Sequence, residues 1–151
     1  MKQKLIILCC LLLAGMTAKA QTQTWQLSET GWGRIEKGFA YAAAMPESSI
    51  GEMNIPRWRK ATGTLTVNFD KKEAVLTQRG KADKTFTLLS ESKPKETRDG
   101  WTYIEYMALD AHNSVCHFWL CTHAAGAVRL LTLYPWTRPD TVYGYQLSPA
   151  E

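Results

Sequence analysis

The chain has 151 residues, of which 18 are Lys or Arg and 14 are Asp or Glu, for a formal charge of +4. Three of those cations (Lys2, Lys4 and Lys19) fall in the first twenty residues, and without them the charge drops to +1. A near-neutral domain lacks the broad positive field that non-specific nucleic-acid binding requires, which excludes that class of partner.

In chain order, Lys2 and Lys4 give a short basic start, residues 5–16 form an apolar run, and Thr17-Ala18-Lys19-Ala20 gives a small-x-small pattern. Basic, apolar and small residues in that order predict a secretory signal peptide cleaved after Ala20. The twelve apolar residues fall short of the roughly 20 that span a bilayer, so no retained helical anchor is expected. Residues 21–151 then make one domain, large enough to build a core without staples. The short leader and the lack of any Asn-x-Ser/Thr sequon fit a bacterial periplasmic or secreted protein. Cys9 and Cys10 leave with the leader. Cys116 and Cys121, if on one strand, are five steps and about 16 Å apart, too far for a mutual disulfide, and two free thiols are expected.

Trp25 to Leu27 reads as a strand, at an edge or first in a barrel, which Gly31-Trp32-Gly33 is expected to break. Over residues 34–45, Ile35, Phe39, Ala42 and Ala43 recur at helical spacing and Pro46 ends the pattern, predicting a short helix that covers a barrel end or acts as a lid. Residues 46–56 read as loop. From Ala61 onward the alternation is of strand type, over 61–69, 73–79, 84–90, 101–109, 114–122, 127–134 and 141–147. Turns are expected at 70–72, 110–113 and 123–126, a solvated loop at 92–100, and a proline-stiffened connection at 135–140. Such short connections imply an antiparallel meander. The fold class is therefore all-β with one short helix: a closed or partly open barrel, or alternatively a two-sheet sandwich. Closure removes exposed strand edges.

Two residue sets alternate along the later strands. Ile104, Tyr106, Ala108, Cys116, Phe118, Leu120, Val128 and Leu130 are almost purely apolar and are assigned to the core. The other set mixes aromatic, polar and charged groups. Tyr103, Glu105, His117, Trp119, Arg129, Tyr143 and Tyr145 suit a ligand pocket if alternation brings them together, because pockets are mostly apolar with a few convergent polar groups. The same composition also suits the half-exposed outer face of a sheet. A carrier built on this set needs an internal cavity lined by Tyr103, His117 or Trp119.

Cys116, His117, Cys121 and His123 have zinc-ligand chemistry, but strand geometry turns Cys116 and His117 to opposite faces and leaves His117 and Cys121 about 13 Å apart. No metal and no cofactor is expected. No phosphate loop, nucleophile elbow or zinc-protease helix occurs, and His117 with Glu105 are the only candidates for acid–base chemistry. Arg57, Trp58, Trp136 and Arg138 form two Trp–Arg features suited to a protein or glycan contact, unless each indole folds back to plug the barrel. The overall plan resembles a lipocalin-type or fatty-acid-carrier-type barrel, a likeness of architecture alone. The Gly-x-Trp of the lipocalin signature is replaced by Gly31-Trp32-Gly33. Together with the leader, this plan predicts a small exported barrel that binds an apolar or aromatic ligand, or a partner, at the cell envelope. A protein- or carbohydrate-interaction module or inhibitor, or an enzyme on the mixed face, stand as alternatives.

Overall fold

The structure, a computed structural model, describes residues 22–35, 55–97 and 100–150. The expected leader and all but the start of the expected helix lie outside them. Nine strands alternate with short turns: β1 (Thr22–Arg34), β2 (Trp58–Asn68), β3 (Glu73–Gln78), β4 (Lys84–Glu91), β5 (Lys95–Glu96), β6 (Trp101–Asp110), β7 (Val115–His123), β8 (Val128–Tyr134) and β9 (Arg138–Pro149). Every pairing is antiparallel and joins sequence neighbours, apart from two. β1 pairs with β9, and β4 pairs with β6. Those two pairings close eight strands into an up-and-down barrel. β5 is the extra strand, continuing the line of β4 along the first residues of β6 (Lys95 opposite Tyr103). The closed barrel, lipocalin-like in plan, is realised, and the sandwich is not.

One buried cluster draws on all eight barrel strands and fills the interior. It includes Leu27, Leu65, Leu76, Phe86, Tyr106, Phe118, Leu130 and Tyr145. Residues from every strand can meet only on the inside of a closed sheet. The Phe118 ring packs edge-on against Phe86 at 5.3 Å and Tyr106 at 5.9 Å, so the middle of the barrel is packed. A second cluster (Trp101, Tyr103, Trp119, Cys121, Leu131, Leu133 and Val142) comes from β6 to β9 only, and Ile35, Ile55 and Trp58 cover it. It lies on the outside of the barrel.

Among the boundaries that differ from the sequence expectation, three bear on the site. β1 runs on through Gly31-Trp32-Gly33 to Arg34, pairing with β2 as far as Gly31 and with β9 throughout. Gly31 does not break the strand because its missing side chain leaves room for Ile55 and for the Arg57 carbonyl. Gly144, opposite it on β9, makes the same room for Ile55 and for Trp58, whose ring would stand 2.7 Å from an added Cβ. Small residues here let covering side chains rest directly on the sheet. Second, the proline-stiffened connection is shorter than expected, because Pro139 and Asp140 already belong to β9. Third, β5 and the buried Thr97 interrupt the expected solvated loop over 92–100.

Register irregularities matter as much as strand ends. The pairing of β1 shifts between Leu27 and Glu29 against both neighbours. Such a shift at Ser28 reverses the alternation. Trp25 and Leu27 point inward before it, and Thr30 and Trp32 point inward after it.

Candidate functional site

The seven residues proposed from sequence for one mixed face divide between the two sides of the sheet. Tyr103 pairs with Cys121, Glu105 with Trp119, and Cys121 with Arg129, which puts Tyr103, Glu105, His117, Trp119 and Arg129 on the outer face. Tyr143 and Tyr145 pair with Thr132 and Leu130 and belong to the interior side. All seven therefore do not converge. The internal cavity lined by Tyr103, His117 or Trp119 does not form either, because those side chains project away from the barrel axis. The reason is register: β8 and β9 pair so that Gln146, Gly144 and Val142 face outward beside Arg129, Leu131 and Leu133.

The outer face is a sealed polar–aromatic patch. Tyr103 stacks on Trp119 at 5.2 Å between ring centroids. The Arg129 guanidinium lies 4.7 Å from the Trp101 ring and 5.4 Å from Trp58, and its Nε donates to Gln146 Oε1 at 3.2 Å. Such cation–π contacts contribute about 0.5–2 kcal/mol each. His117 Nδ1 donates to Glu105 Oε1, and Lys95 of β5 approaches the other carboxylate oxygen at 3.7 Å. The His117 hydrogen bond holds the Glu105 carboxyl below its ordinary range, helped by the His117 and Lys95 charges and opposed by burial. The buried Trp119 indole N–H has no hydrogen bond in range, yet it is near enough for its dipole to favour the same anion.

His117 and Glu105 are thus brought together, as acid–base chemistry requires. Neither of them lines a cavity described among these residues. The thiols offer no nucleophile. Both are free, on opposite faces, with burial raising Cys116 to about 12 and pushing Cys121 up further. A thiol that is protonated at neutral pH is inert. No group of three or more His, Cys, Asp or Glu among the described residues is placed to hold a metal. Trp58, expected as a contact surface, instead packs into the outer cluster.

The open chemistry lies at one end of the barrel, where β1, β4 and β9 meet the β3–β4 turn. A cup of about 490 Å³ opens there, within the range of small-molecule sites. Its inward-facing wall is Thr30 and Trp32 of β1, Arg59 of β2, Gln78 of β3, Lys84 of β4, and Tyr143 and Tyr145 of β9. Arg57 and Lys81 complete the rim, so among the described residues four cations and no carboxylate line the cup. Lys84 Nζ donates to the Tyr145 hydroxyl at 2.8 Å and lies 5.5 Å from the centroids of both tyrosine rings. Arg138 donates to the Tyr143 hydroxyl at 2.8 Å. These contacts fix the donors in advance, and like charges held around one concavity reinforce each other's field.

Of the residues singled out from sequence, Arg57, Tyr143 and Tyr145 line this cup, and Arg138 braces it. Trp32, Arg59, Gln78, Lys81 and Lys84 went unmarked. The signal available for them was positional: inward parity at the β2 entry and on either side of the β3–β4 turn. For Trp32 that parity depends on the irregularity at Ser28. The opposite end holds a smaller cavity of about 270 Å³, lined by Trp25, Phe69, Ile104, Tyr106 and Leu120, with Glu91 as the one charged group among its described lining residues. No helix among the described residues is long and apolar enough to cross a membrane. No family model, curated protein or solved structure matches the chain.

Proposed function

We propose that this barrel is a binding protein for a small anionic ligand, held in the cup at the Lys84 end, and that it works outside the cytoplasm after loss of residues 1–20. The observation that carries the reading is the charge of the lining: Arg57, Arg59, Lys81 and Lys84 surround a concavity to which no described residue contributes a carboxylate. Uncompensated cations around one cavity repel each other, a cost that an anion relieves on binding. Tyr145 and Lys84 supply directed donors, and Trp32 and Tyr143 supply apolar surface for the body of the ligand. Charge-assisted hydrogen bonds of this kind are roughly twice as strong as neutral ones.

Calorimetric titration of residues 21–151 with citrate and with inorganic pyrophosphate tests this reading. Saturable binding is expected, weakening as salt rises and falling about a hundredfold in the Arg59→Glu/Lys84→Glu double variant. Equal affinity in that variant, or no dependence on salt, overturns the proposal.

A further inference from the structure

The anion cup accounts for the four cations but neither for the wide exposure of Trp32 in its lining nor for Trp136 beyond it. Trp32 is 59% exposed and Trp136, in the turn between β8 and β9, is 83% exposed. Both belong to the cup end. Trp32 lines the cup and pairs with Tyr143, and Arg138, two residues after Trp136, bonds the Tyr143 hydroxyl. Large aromatic faces left in water mark contact sites more often than stray surface. Pro135 and Pro139 flank Trp136 and limit the entropy lost when that turn is held in a complex.

The cations are also arranged in a telling way. Arg57 and Arg59 enter from the start of β2, while Lys81 and Lys84 come from the β3–β4 turn and its exit. A single phosphate is gripped by donors converging on one point. Positive groups spread over wall and rim, two from the β2 entry and two from the β3–β4 turn and its exit, instead match negative groups spaced along a longer molecule. A molecule with spaced anions, hydroxyls for the tyrosines, and flat C–H faces for indole stacking is an acidic sugar chain.

We infer that the cup and its rim tryptophans bind acidic carbohydrate, an oligosaccharide bearing carboxylates or sulfates. This rests on the anion-cup reading above. The cations pair with the acid groups, and Trp32 and Trp136 stack on the sugar rings. A bilayer surface shares the charge, but it is flat and leaves a 490 Å³ concavity unfilled.

The test compares four probes on the chain 21–151 by calorimetry and vesicle flotation: tetragalacturonate, its methyl ester, tetraglutamate, and phosphatidylglycerol vesicles. A chondroitin sulfate tetrasaccharide serves as the sulfated counterpart. The expected result is that at least one acidic saccharide binds ten times more tightly than tetraglutamate, and that the neutral ester binds at least tenfold more weakly than the tetragalacturonate it replaces. Trp136→Ala should weaken the saccharide at least fivefold more than it weakens tetraglutamate. Equal affinity for tetraglutamate, or vesicle binding that Trp136→Ala abolishes, overturns the carbohydrate assignment and leaves the anion cup standing. Failure of every anion, citrate and pyrophosphate included, removes the cup reading itself.

Discussion

The outer face of β6–β9 and the cup at the barrel end are built from the same residue types, yet one is closed and the other available. On the outer face each charged group already has a partner: Glu105 has His117 and Lys95, and Arg129 has two indoles and Gln146. Ile55 and Trp58 cover that face because Gly31 and Gly144 let them sit on the backbone. In the cup, two lysines and two arginines share one concavity, with no carboxylate among its described lining residues. A mixed aromatic and charged composition therefore says little about function until the partners of each charge are known.

That contrast can be broken most forcefully at the tryptophans. Trp119, 1% exposed beneath its stacked partner Tyr103, should cost about 3–5 kcal/mol when changed to Ala. Urea unfolding should show this as a lower midpoint with little change in slope. A loss under 1 kcal/mol would mean the outer face is not sealed. Next in size, the Arg59→Glu/Lys84→Glu pair should reduce anion affinity about a hundredfold, near 2.7 kcal/mol, while changing stability far less. Titration and melting on one sample separate the two effects.

Glu105→Gln should cost about 1–2 kcal/mol at neutral pH, because His117 and Lys95 lose a charged partner in a half-buried site. The sign of its pH dependence follows from the lowered Glu105 carboxyl. Stability from that group is present above the ordinary carboxyl value of 4.5 and is lost as pH falls through the lower folded-state value. The gap between wild type and Glu105→Gln should therefore narrow on acidification below about 4.5. A gap that stays constant there would show that the ion pair contributes nothing. The smallest effect is expected at Trp136→Ala, within about 0.5 kcal/mol of wild-type stability, since the indole is 83% exposed. A large destabilisation would place Trp136 in the core after all.

Much of the barrel was legible in the sequence. The seven strands after Ala61 follow from alternation of apolar and polar residues, and their short turns already imply a meander. The assignment of Ile104, Tyr106, Ala108, Cys116, Phe118, Leu120, Val128 and Leu130 to the core holds: six lie in the interior cluster, and Ile104 and Leu120 pack against it. The two free, unpaired-to-each-other cysteines followed from strand geometry alone. The mixed face was legible as a set within β6 and β7, where Glu105 and His117 do meet. It was misjoined at β9, where Tyr143 and Tyr145 face inward.

Sequence alone determines what can be reached by counting along one strand: strand type, turn positions and which residues share a face locally. Register between strands, closure of β1 on β9 and of β4 on β6, and the reversal at Ser28 are decided only in the tertiary structure. They depend on contacts between residues far apart in the chain, and a shift of one residue moves every side chain to the other face. The cup shows the consequence. Lys84 and Tyr145 are 61 positions apart, and only barrel closure brings the ammonium within 2.8 Å of the hydroxyl.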